Sequence, residues 1–346
     1  MPFEGFPLVV GWELTLGCNL RCRHCASSAG SKRLNELNLE ESLALCDQFP
    51  ALLVQEVDFT GGEALLNPGW EAIAQRLREH EIQVRMVSNG LALSEETVER
   101  IREVGITCVA VSIDGLEATH DSVRGVAGAW RRGLDGLRRV ADAGLQAAAI
   151  TAVNARAVRE LGAMRSHLAE AGVTTWQLQP VFPWGRASEA TDLRLDEKSY
   201  QALGRFVKTA EQVQDGIEVR AADSCGYFCD GMGVGEGWMG CSAGIAAVGI
   251  MSDGRVKGCL SMPDELVEGS LREADLWDIW FRPGAFAYTR EFAIGKLGAN
   301  CRGCEKGEQC QGGCTAMSYT MTGGFHNDPY CFRAIQAQAG AALATL

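Results

Sequence analysis

Leu14-Thr-Leu-Gly-Cys18-Asn-Leu-Arg-Cys22-Arg-His-Cys25 places three cysteines in one short loop directly after an apolar segment. Three thiolates at this spacing can each bind one iron of a four-iron cluster, for which the full set is four ligands. The missing fourth ligand leaves one iron open to another molecule. Zinc with His24 as fourth ligand is the alternative, but structural zinc is closed by four ligands and His24 lies between two cysteines of a tight loop.

Apolar segments alternate with amphipathic ones over the first two thirds of the chain. We predict strands at 8–16, 54–60, 83–88, 107–113, 146–153 and 174–181. We predict helices at 40–49, 70–80, 94–104, 130–143, 158–171 and 197–213. Strands that alternate with helices predict βα units around a parallel sheet. Six such units fit either a doubly wound sheet or an incomplete barrel.

Short polar or glycine-rich turns follow the predicted strands. They are Gly61-Gly62-Glu63, Ser88-Asn89-Gly90, Ser112-Ile113-Asp114-Gly115 and Val153-Asn154. In a barrel the loops after the strands lie on one rim, where functional residues gather. We therefore expect these turns and the cysteine loop to form one site.

Composition narrows the class of protein. The chain has 346 residues, with 32 Lys and Arg against 44 Asp and Glu, a net charge of −12. This acidic balance lacks the basic footprint of a nucleic-acid-binding protein. No apolar run has the length of a membrane span, and the start lacks the basic region of a secretory signal. Cytosolic thiols are kept reduced, so the 14 cysteines indicate metal or redox chemistry in the cytoplasm.

Most cysteines lie in the last third of the chain, where glycines crowd together and long helical patterns end. They are Cys225, Cys229, Cys241, Cys259, Cys301, Cys304, Cys310, Cys314 and Cys331. A segment with little core of its own is commonly held together by metals. A zinc ribbon formed by the run from Cys301 to Cys314 is one possibility. Cys46 and Cys108, by contrast, fall in a predicted helix and strand and are expected to be buried.

The cysteine loop and the turns after the strands resemble those of radical S-adenosylmethionine (radical SAM) enzymes, over roughly residues 8–200. The resemblance implies an α/β fold, a partial (β/α)6 TIM-like barrel. It implies that Cys18, Cys22 and Cys25 bind a [4Fe-4S] cluster whose open iron binds SAM. It also implies reductive cleavage of SAM to a 5′-deoxyadenosyl radical, which abstracts hydrogen from a substrate.

The same resemblance assigns contacts to SAM. Gly61-Gly62-Glu63-Ala64 is similar to the family's GGEP motif near the methionine amino group, with Ala64 in place of proline. Ser88 and Asn89 correspond to residues near the ribose, and Arg124 corresponds to a basic residue near the carboxylate. The full set of predicted SAM-binding residues is Gly61, Gly62, Glu63, Ser88, Asn89, Ser112, Asp114, Arg124 and Asn154.

The late cysteines resemble the SPASM extension of radical SAM enzymes, which binds two auxiliary [4Fe-4S] clusters. By position, auxiliary cluster II is assigned to Cys301, Cys304, Cys310 and Cys331. Auxiliary cluster I is assigned to Cys241, Cys259 and Cys314. This leaves auxiliary cluster I one ligand short. Cys225 is the favoured fourth ligand, with Cys229 or an open iron as alternatives.

These features predict a radical SAM barrel over residues 1–215, a SPASM domain over 216–335 and a tail over 336–346. Most well-understood relatives of this kind modify ribosomally made peptides, and short motifs resemble mycofactocin-type maturases. We therefore expect a crosslinked or oxidised peptide, a small molecule such as a tetrapyrrole or sugar being the alternative. A non-enzymatic iron–sulfur electron carrier is a remote alternative.

Two protein partners follow from the resemblance. A flavodoxin- or ferredoxin-type electron donor is implied because SAM cleavage needs an electron. Many peptide-modifying relatives carry a leader-binding unit before the barrel, and the first predicted strand begins near residue 8. A peptide substrate is therefore expected to need a separate leader-recognition protein or recognition by the barrel itself.

Overall fold

The computed structural model describes residues 5–210, 212–222 and 240–335. Ten strands are formed by this part of the chain: β1 Val9–Thr15, β2 Glu56–Gly61, β3 Gln83–Ser88, β4 Cys108–Ser112, β5 Gln146–Val153, β6 Thr175–Pro180, β7 Glu218–Ala221, β8 Ala247–Ile250, β9 Arg255–Lys257 and β10 Gly269–Ser270. They make one sheet in the order β10-β9-β8-β1-β2-β3-β4-β5-β6-β7.

The described helices lie mainly between the strands of the barrel. They are α1 Leu39–Cys46, α2 Trp70–Glu79, α3 Glu95–Glu103, α4 Glu117–Arg124, α5 Ala129–Asp142, α6 Leu161–Glu170, α7 Glu197–Ala210, α8 Leu276–Phe281, α9 Ala287–Arg290, α10 Gly307–Cys310 and α11 Thr315–Thr322. None of the helices in the described residues is long and apolar enough to cross a membrane.

The first seven strands form a partial barrel, with one strand more than the six that the sequence predicted. Neighbouring strands from β1 to β7 pair in parallel. Trp12, Phe59 and Met86 are side by side in this register and fully buried. Because side chains alternate across a strand, the next residues point to the inner face instead, where Glu13 and Thr60 line a cavity. The prediction of an α/β partial barrel is confirmed.

Strand β1 also joins the barrel to the cysteine-rich part of the chain. It pairs in parallel with β8 as well as with β2, so β8 to β10 extend the sheet beyond the barrel. Gly249 on β8 makes a close approach possible, because a Cβ there would lie 2.7 Å from the backbone nitrogen of Leu260. The predicted boundary at residue 215 thus falls within one continuous sheet and remains a proposal. The predicted tail at 336–346 lies outside the described residues.

Local signals explain several of the helices. Asn38 and Glu41 form a reciprocal capping box at the start of α1, and Ser94 accepts a hydrogen bond from the backbone of Thr97 at the start of α3. Such caps satisfy backbone N–H groups that lack partners within the helix. Helix α4 was missing from the predicted set, since its sequence EATHDSVR is largely polar.

A buried hydrogen bond chain between β5 and β6 provides a stability test. The indole nitrogen of Trp176 donates to Thr151 Oγ1 at 2.8 Å, and that hydroxyl donates to the carbonyl of Ile113 at 2.5 Å. We predict that Thr151→Val lowers the free energy of unfolding by about 1–3 kcal/mol, because a buried donor loses its acceptor.

Thr175→Val is the matched control on the neighbouring strand. Thr175 accepts a hydrogen bond only from the exposed Gln146 side chain among its described contacts, so we expect a change within ~0.5 kcal/mol. Denaturant unfolding under anaerobic conditions measures both variants. Equal effects in the two would contradict the role given to Thr151.

Candidate functional site

The cysteine loop begins where β1 ends and is closed at its base by a pair of glycines. Gly17 and Gly30 form a parallel bridge, the Cys18 nitrogen donates to the Gly30 carbonyl at 2.9 Å, and Gly30 donates back to Leu16 at 3.1 Å. The Glu36 carboxylate supports the same base by accepting hydrogen bonds from the hydroxyl of Thr15 and the nitrogen of Leu16. These bonds fix the loop from which the three cysteines project.

The turn after β2 lies against this base with its backbone. Gly62 and Glu63 donate backbone hydrogen bonds to Thr15 and Gly17, at 2.8 and 2.9 Å. A Cβ on Gly61 would lie 2.2 Å from the Thr15 carbonyl oxygen, and one on Gly62 would lie 2.3 Å from that of Gly17. Only glycine permits this approach, which explains the paired glycines of the motif.

A buried ion pair lies beneath the cysteine loop. Arg124 Nε donates to Asp114 Oδ2 at 2.6 Å, and His24 Nε2 lies 3.2 Å from the same oxygen. Although burial disfavours the ionised carboxyl, Arg124 and His24 hold the pKa of Asp114 well below its usual range. Arg124 Nη1 also lies 3.7 Å from Cys22 Sγ. A permanent cation is thus placed next to one of the three thiols.

The three thiols of the loop line one cavity of about 280 Å³. Cys18, Cys22 and Cys25 are the cysteines among its described lining residues. Burial raises the pKa of both Cys18 and Cys22, partly opposed for each by the charge of Arg124. A donor set of three thiols around one space suits a four-iron cluster with one open iron, so these residues fit the group that the sequence implied.

Seven of the nine predicted SAM-binding residues line the same cavity. They are Gly61, Gly62, Ser88, Asn89, Ser112, Asp114 and Arg124. Asn89 also faces the cysteine loop, because its Nδ2 donates to Asn19 Oδ1 at 2.7 Å. The parallel sheet brings six of these residues together because they lie at or just after the carboxyl ends of β2, β3 and β4, and Arg124 reaches the same cavity from the end of α4. Their contact with SAM remains a prediction.

Glu63 and Asn154 are not among the described residues that line the cavity. The buried carboxylate of Glu63 accepts hydrogen bonds from Ser88 Oγ at 2.9 Å and the Asn89 nitrogen at 2.8 Å. Asn154 is also fully buried, and its Oδ1 accepts from the backbone nitrogens of Arg156 and Ala157. In this geometry the two side chains hold the ends of strands in place, and a direct role toward SAM stays a prediction.

Other residues reach the cavity that the predicted set did not include. They are, among others, Glu13, His24, Gln179, Phe182, Arg186, Leu260 and Ser261. Glu13 accepts hydrogen bonds from Arg33 and from Ser252. The alternation of β1 and β6 could have indicated Glu13 and Gln179, but Leu260 and Ser261 arrive through the tertiary approach of the segment after β9.

The predicted ligands of auxiliary cluster II surround a second cavity of about 350 Å³. Cys301, Cys304, Cys310 and Cys331 all line it, whereas Cys314 is not among its described lining residues. Burial raises the pKa of Cys301 to about 12 and that of Cys310 to about 11. Neutral thiols are therefore favoured until a metal binds, since metal ligation requires the thiolate.

The predicted ligands of auxiliary cluster I are not among the described residues that line this second cavity. Cys259 directly follows Gly258, whose backbone nitrogen donates to the hydroxyl of Tyr288 at 3.1 Å, and burial raises the pKa of Tyr288. Cys314 is buried at the start of α11. Cys225, proposed as the fourth ligand, and its alternative Cys229 lie outside the described residues. The assignment of ligands to both auxiliary clusters remains a prediction.

Two family models match the parts of the chain that carry these cavities. Residues 12–155 match the radical SAM superfamily, and residues 241–305 match SPASM, an iron–sulfur cluster-binding domain. The chain is a radical SAM/SPASM enzyme. Its first domain binds SAM and a [4Fe-4S] cluster, and its SPASM domain binds auxiliary iron–sulfur clusters. The predicted family, fold and cofactors are confirmed.

Two curated relatives match most of the chain. The AdoMet-dependent heme synthase of Methanosarcina barkeri is 29% identical over 345 residues, which cover 94% of this chain and 96% of the relative. The mycofactocin maturase MftC of Mycobacterium tuberculosis is 26% identical over 319 residues, which cover 90% of this chain and 79% of the maturase.

A solved structure has the same fold. SuiB of Streptococcus suis, crystallised with S-adenosylmethionine, aligns with a TM-score of 0.74 at 17% identity and covers 95% of this chain and 76% of SuiB. At this identity the similarity shows a common architecture for barrel and SPASM domain.

Loss of one cysteine tests the ligand set of the second cavity. We predict that Cys310→Ala lowers the iron content of anaerobically reconstituted enzyme by up to about four irons per chain, while the SAM-responsive electron paramagnetic resonance (EPR) signal of the first cluster persists. Cys46→Ala is the control, because Cys46 is buried in α1. Unchanged iron in the Cys310 variant would exclude this cysteine as a ligand.

Proposed function

We propose that this enzyme applies SAM-dependent radical chemistry to a tetrapyrrole substrate. The main support is the match with the AdoMet-dependent heme synthase, which extends over 94% of this chain and 96% of that protein. The match with the peptide-associated maturase covers 79% of the relative. A match that extends over almost the whole length of the heme synthase favours the tetrapyrrole, which belongs to the small-molecule class that the sequence left as the alternative.

The inner face of the barrel is compatible with a broad, flat ligand. Ala110 pairs with Ala148 across β4 and β5, and both share a face with the cavity-lining Ser112 and Ile150. Small side chains here leave space beside the SAM-binding rim. Leu260 contributes an apolar surface on the side of the SPASM domain, which suits the apolar face of a macrocycle.

The acidic side chains at the cavity also bear on the reaction. Both carboxylates among its described lining residues are engaged, Glu13 by Arg33 and Ser252, and Asp114 by Arg124 and His24. This arrangement favours a substrate that carries its own leaving group, such as the carboxylate of a propionate side chain.

The cofactors would supply the radical chemistry, and the protein positions them and shields the reacting space. When the first cluster and SAM are bound, they supply a 5′-deoxyadenosyl radical that abstracts hydrogen from the substrate. The chain's residues hold the three thiols on a fixed loop and position the charge of Arg124 beside Cys22. They also surround the reacting space with buried strand ends, which limits access of water.

A porphyrin assay tests the substrate. We predict that the reconstituted enzyme, with SAM, reductant and iron coproporphyrin III, yields a product lighter by CO2 and two hydrogens per converted propionate. One hydrogen atom would pass to the 5′-deoxyadenosyl radical, the carboxyl proton to solvent and the remaining electron to an auxiliary iron–sulfur cluster as the oxidant. Mass spectrometry measures the product. Cys22→Ala is the control and should form neither product nor 5′-deoxyadenosine. Cleavage of SAM without any change in the porphyrin would refute this substrate, whereas persistent 5′-deoxyadenosine in the control would refute the role of the thiol trio.

A peptide substrate is the second candidate, favoured by the match with the mycofactocin maturase. Co-expression with each short reading frame encoded beside the gene, followed by intact mass measurement, tests it. Loss of two hydrogens that depends on Cys22 would support a peptide maturase, and without a co-expressed leader-recognition protein it would favour recognition by the barrel itself. Unchanged peptides together with a converted porphyrin would favour the tetrapyrrole.

The surface of the cysteine loop supports the proposed flavodoxin- or ferredoxin-type electron donor. Residues 14–35 contain four Lys or Arg and no Asp or Glu, in a chain of net charge −12. Arg21 and Lys32 are exposed and lie against Gly30 and Gly17 at the base of the loop. This local positive surface next to Cys18 is suited to an acidic redox protein.

Charge reversal tests this docking surface. We predict that the double variant Arg21→Glu, Lys32→Glu slows 5′-deoxyadenosine formation about tenfold when flavodoxin is the reductant. The reason is that opposite charge attracts the acidic flavodoxin to this surface and speeds its association. With dithionite the rate should stay close to wild type. Arg132→Glu, on the exposed side of α5, is the matched control. An equal loss with both reductants would contradict a docking role.

A further inference from the structure

The segment after β6 packs directly on the cysteine loop. Gly185 begins a short 3-10 turn, Gly185–Ser188, and its φ of +54° lies in the left-handed region. A Cβ at this position would lie 2.1 Å from the carbonyl oxygen of Ala26. Glycine is therefore required both by the backbone conformation and by the closeness of the loop.

The next residue, Arg186, bonds the loop at three points. Its backbone nitrogen donates to the carbonyl of Cys25 at 3.0 Å. Its guanidinium donates through Nε to the carbonyl of Cys22 at 2.9 Å and through Nη1 to that of Ala29 at 2.8 Å. One side chain thus joins both ends of the segment that carries Cys25.

These bonds act where the loop has no regular secondary structure of its own. Residues 22–29 contain turns but no helix or strand, and the Gly17–Gly30 bridge fixes only the base. Three thiols that share one cluster must keep their mutual geometry, and an unsupported loop would lose backbone entropy on binding. The planar fork of arginine can bond two separate carbonyls at once, which the single ammonium of lysine does less well.

We propose that Arg186 is a positioning residue that holds the Cys22–Ala29 segment in the shape that binds the first iron–sulfur cluster, so that it controls how long the cluster is retained. The hydrogen bonds to three carbonyls of the loop place its action on the segment that carries the protein ligands of the cluster. This role concerns cluster retention and is independent of which substrate the enzyme converts.

The test measures loss of the first cluster against the auxiliary clusters in the same molecule. Reconstituted Arg186→Gln enzyme is exposed anaerobically to an iron chelator, and the SAM-responsive EPR signal is followed together with total iron. We expect this signal to decay about tenfold faster than in wild type, as for other residues that orient metal ligands. Auxiliary clusters should be released at the wild-type rate. In the Arg186→Lys enzyme the first cluster should decay at a rate between those of wild type and of the Arg186→Gln enzyme.

Arg194→Gln is the matched control, because exposed Arg194 bonds the same segment through the carbonyl of Ser188 at 2.7 Å without a described bond to the cysteine loop. Equilibrium binding of SAM to cluster-loaded enzyme completes the test. Weaker SAM binding with an unchanged decay rate would overturn the proposal and make Arg186 a SAM contact. Decay as slow as in the control would also overturn it, and so would equal acceleration of all clusters, which indicates general unfolding.

Discussion

The close approach of the Gly61-Gly62 backbone to the end of β1 is the constraint on which the site depends. Carbonyl oxygens of Thr15 and Gly17 lie where a Cβ on either glycine would have to be, and the same carbonyls accept hydrogen bonds from Gly62 and Glu63. The turn after β2 therefore lies flat against the base of the cysteine loop. A larger residue at Gly61 or Gly62 would push the turn after β2 away from the loop that carries the three thiols.

Electrostatics around the loop follow from the same compactness. A site with three thiols and buried carboxyls would accumulate negative charge, which a low-dielectric interior does not tolerate without compensation. The positive charge of Arg124 compensates this negative charge, because its guanidinium contacts both Asp114 and Cys22. His120 is neutral here, because burial and the nearby Arg124 lower its pKa to about 4. Its Nδ1 accepts a hydrogen bond from the backbone nitrogen of Asp114.

The sequence predicted the barrel well because its strands are long and regular. Strands β3 and β5 have the bounds that the apolar segments indicated, and the four cysteines assigned to auxiliary cluster II do share a cavity. Helix α4 was missed because most of its residues are polar, so that its sequence lacks the helical repeat of apolar residues that predicts a helix. Strands β7 to β10 were missed because each is two to four residues long, and such short segments have no detectable period.

Tertiary contacts account for the functional residues that the sequence did not indicate. Arg186 acts on carbonyl groups of a loop more than 150 residues away, and a carbonyl leaves no signature in sequence. Glu63 shows a motif residue that also holds the fold, because its carboxylate bonds Ser88 and Asn89 while its contact with SAM stays a prediction. A strand-end motif thus predicts where a site lies more securely than it predicts what each side chain contacts.

The pairing of β1 with β8 gives the SPASM domain its place at the reacting centre. Gly11 and Gly249 are opposite each other in that pair, and both lie against Leu260. Their lack of side chains lets the chain after Cys259 cross the inner face, so that Leu260 and Ser261 share a cavity with the three thiols of the first loop. A predicted auxiliary-cluster ligand, Cys259, is therefore next in the chain to residues that line the cavity of the first cysteine loop. This placement suits a cluster that acts on the substrate or its electrons, because a purely structural staple would have no need of the barrel's inner face.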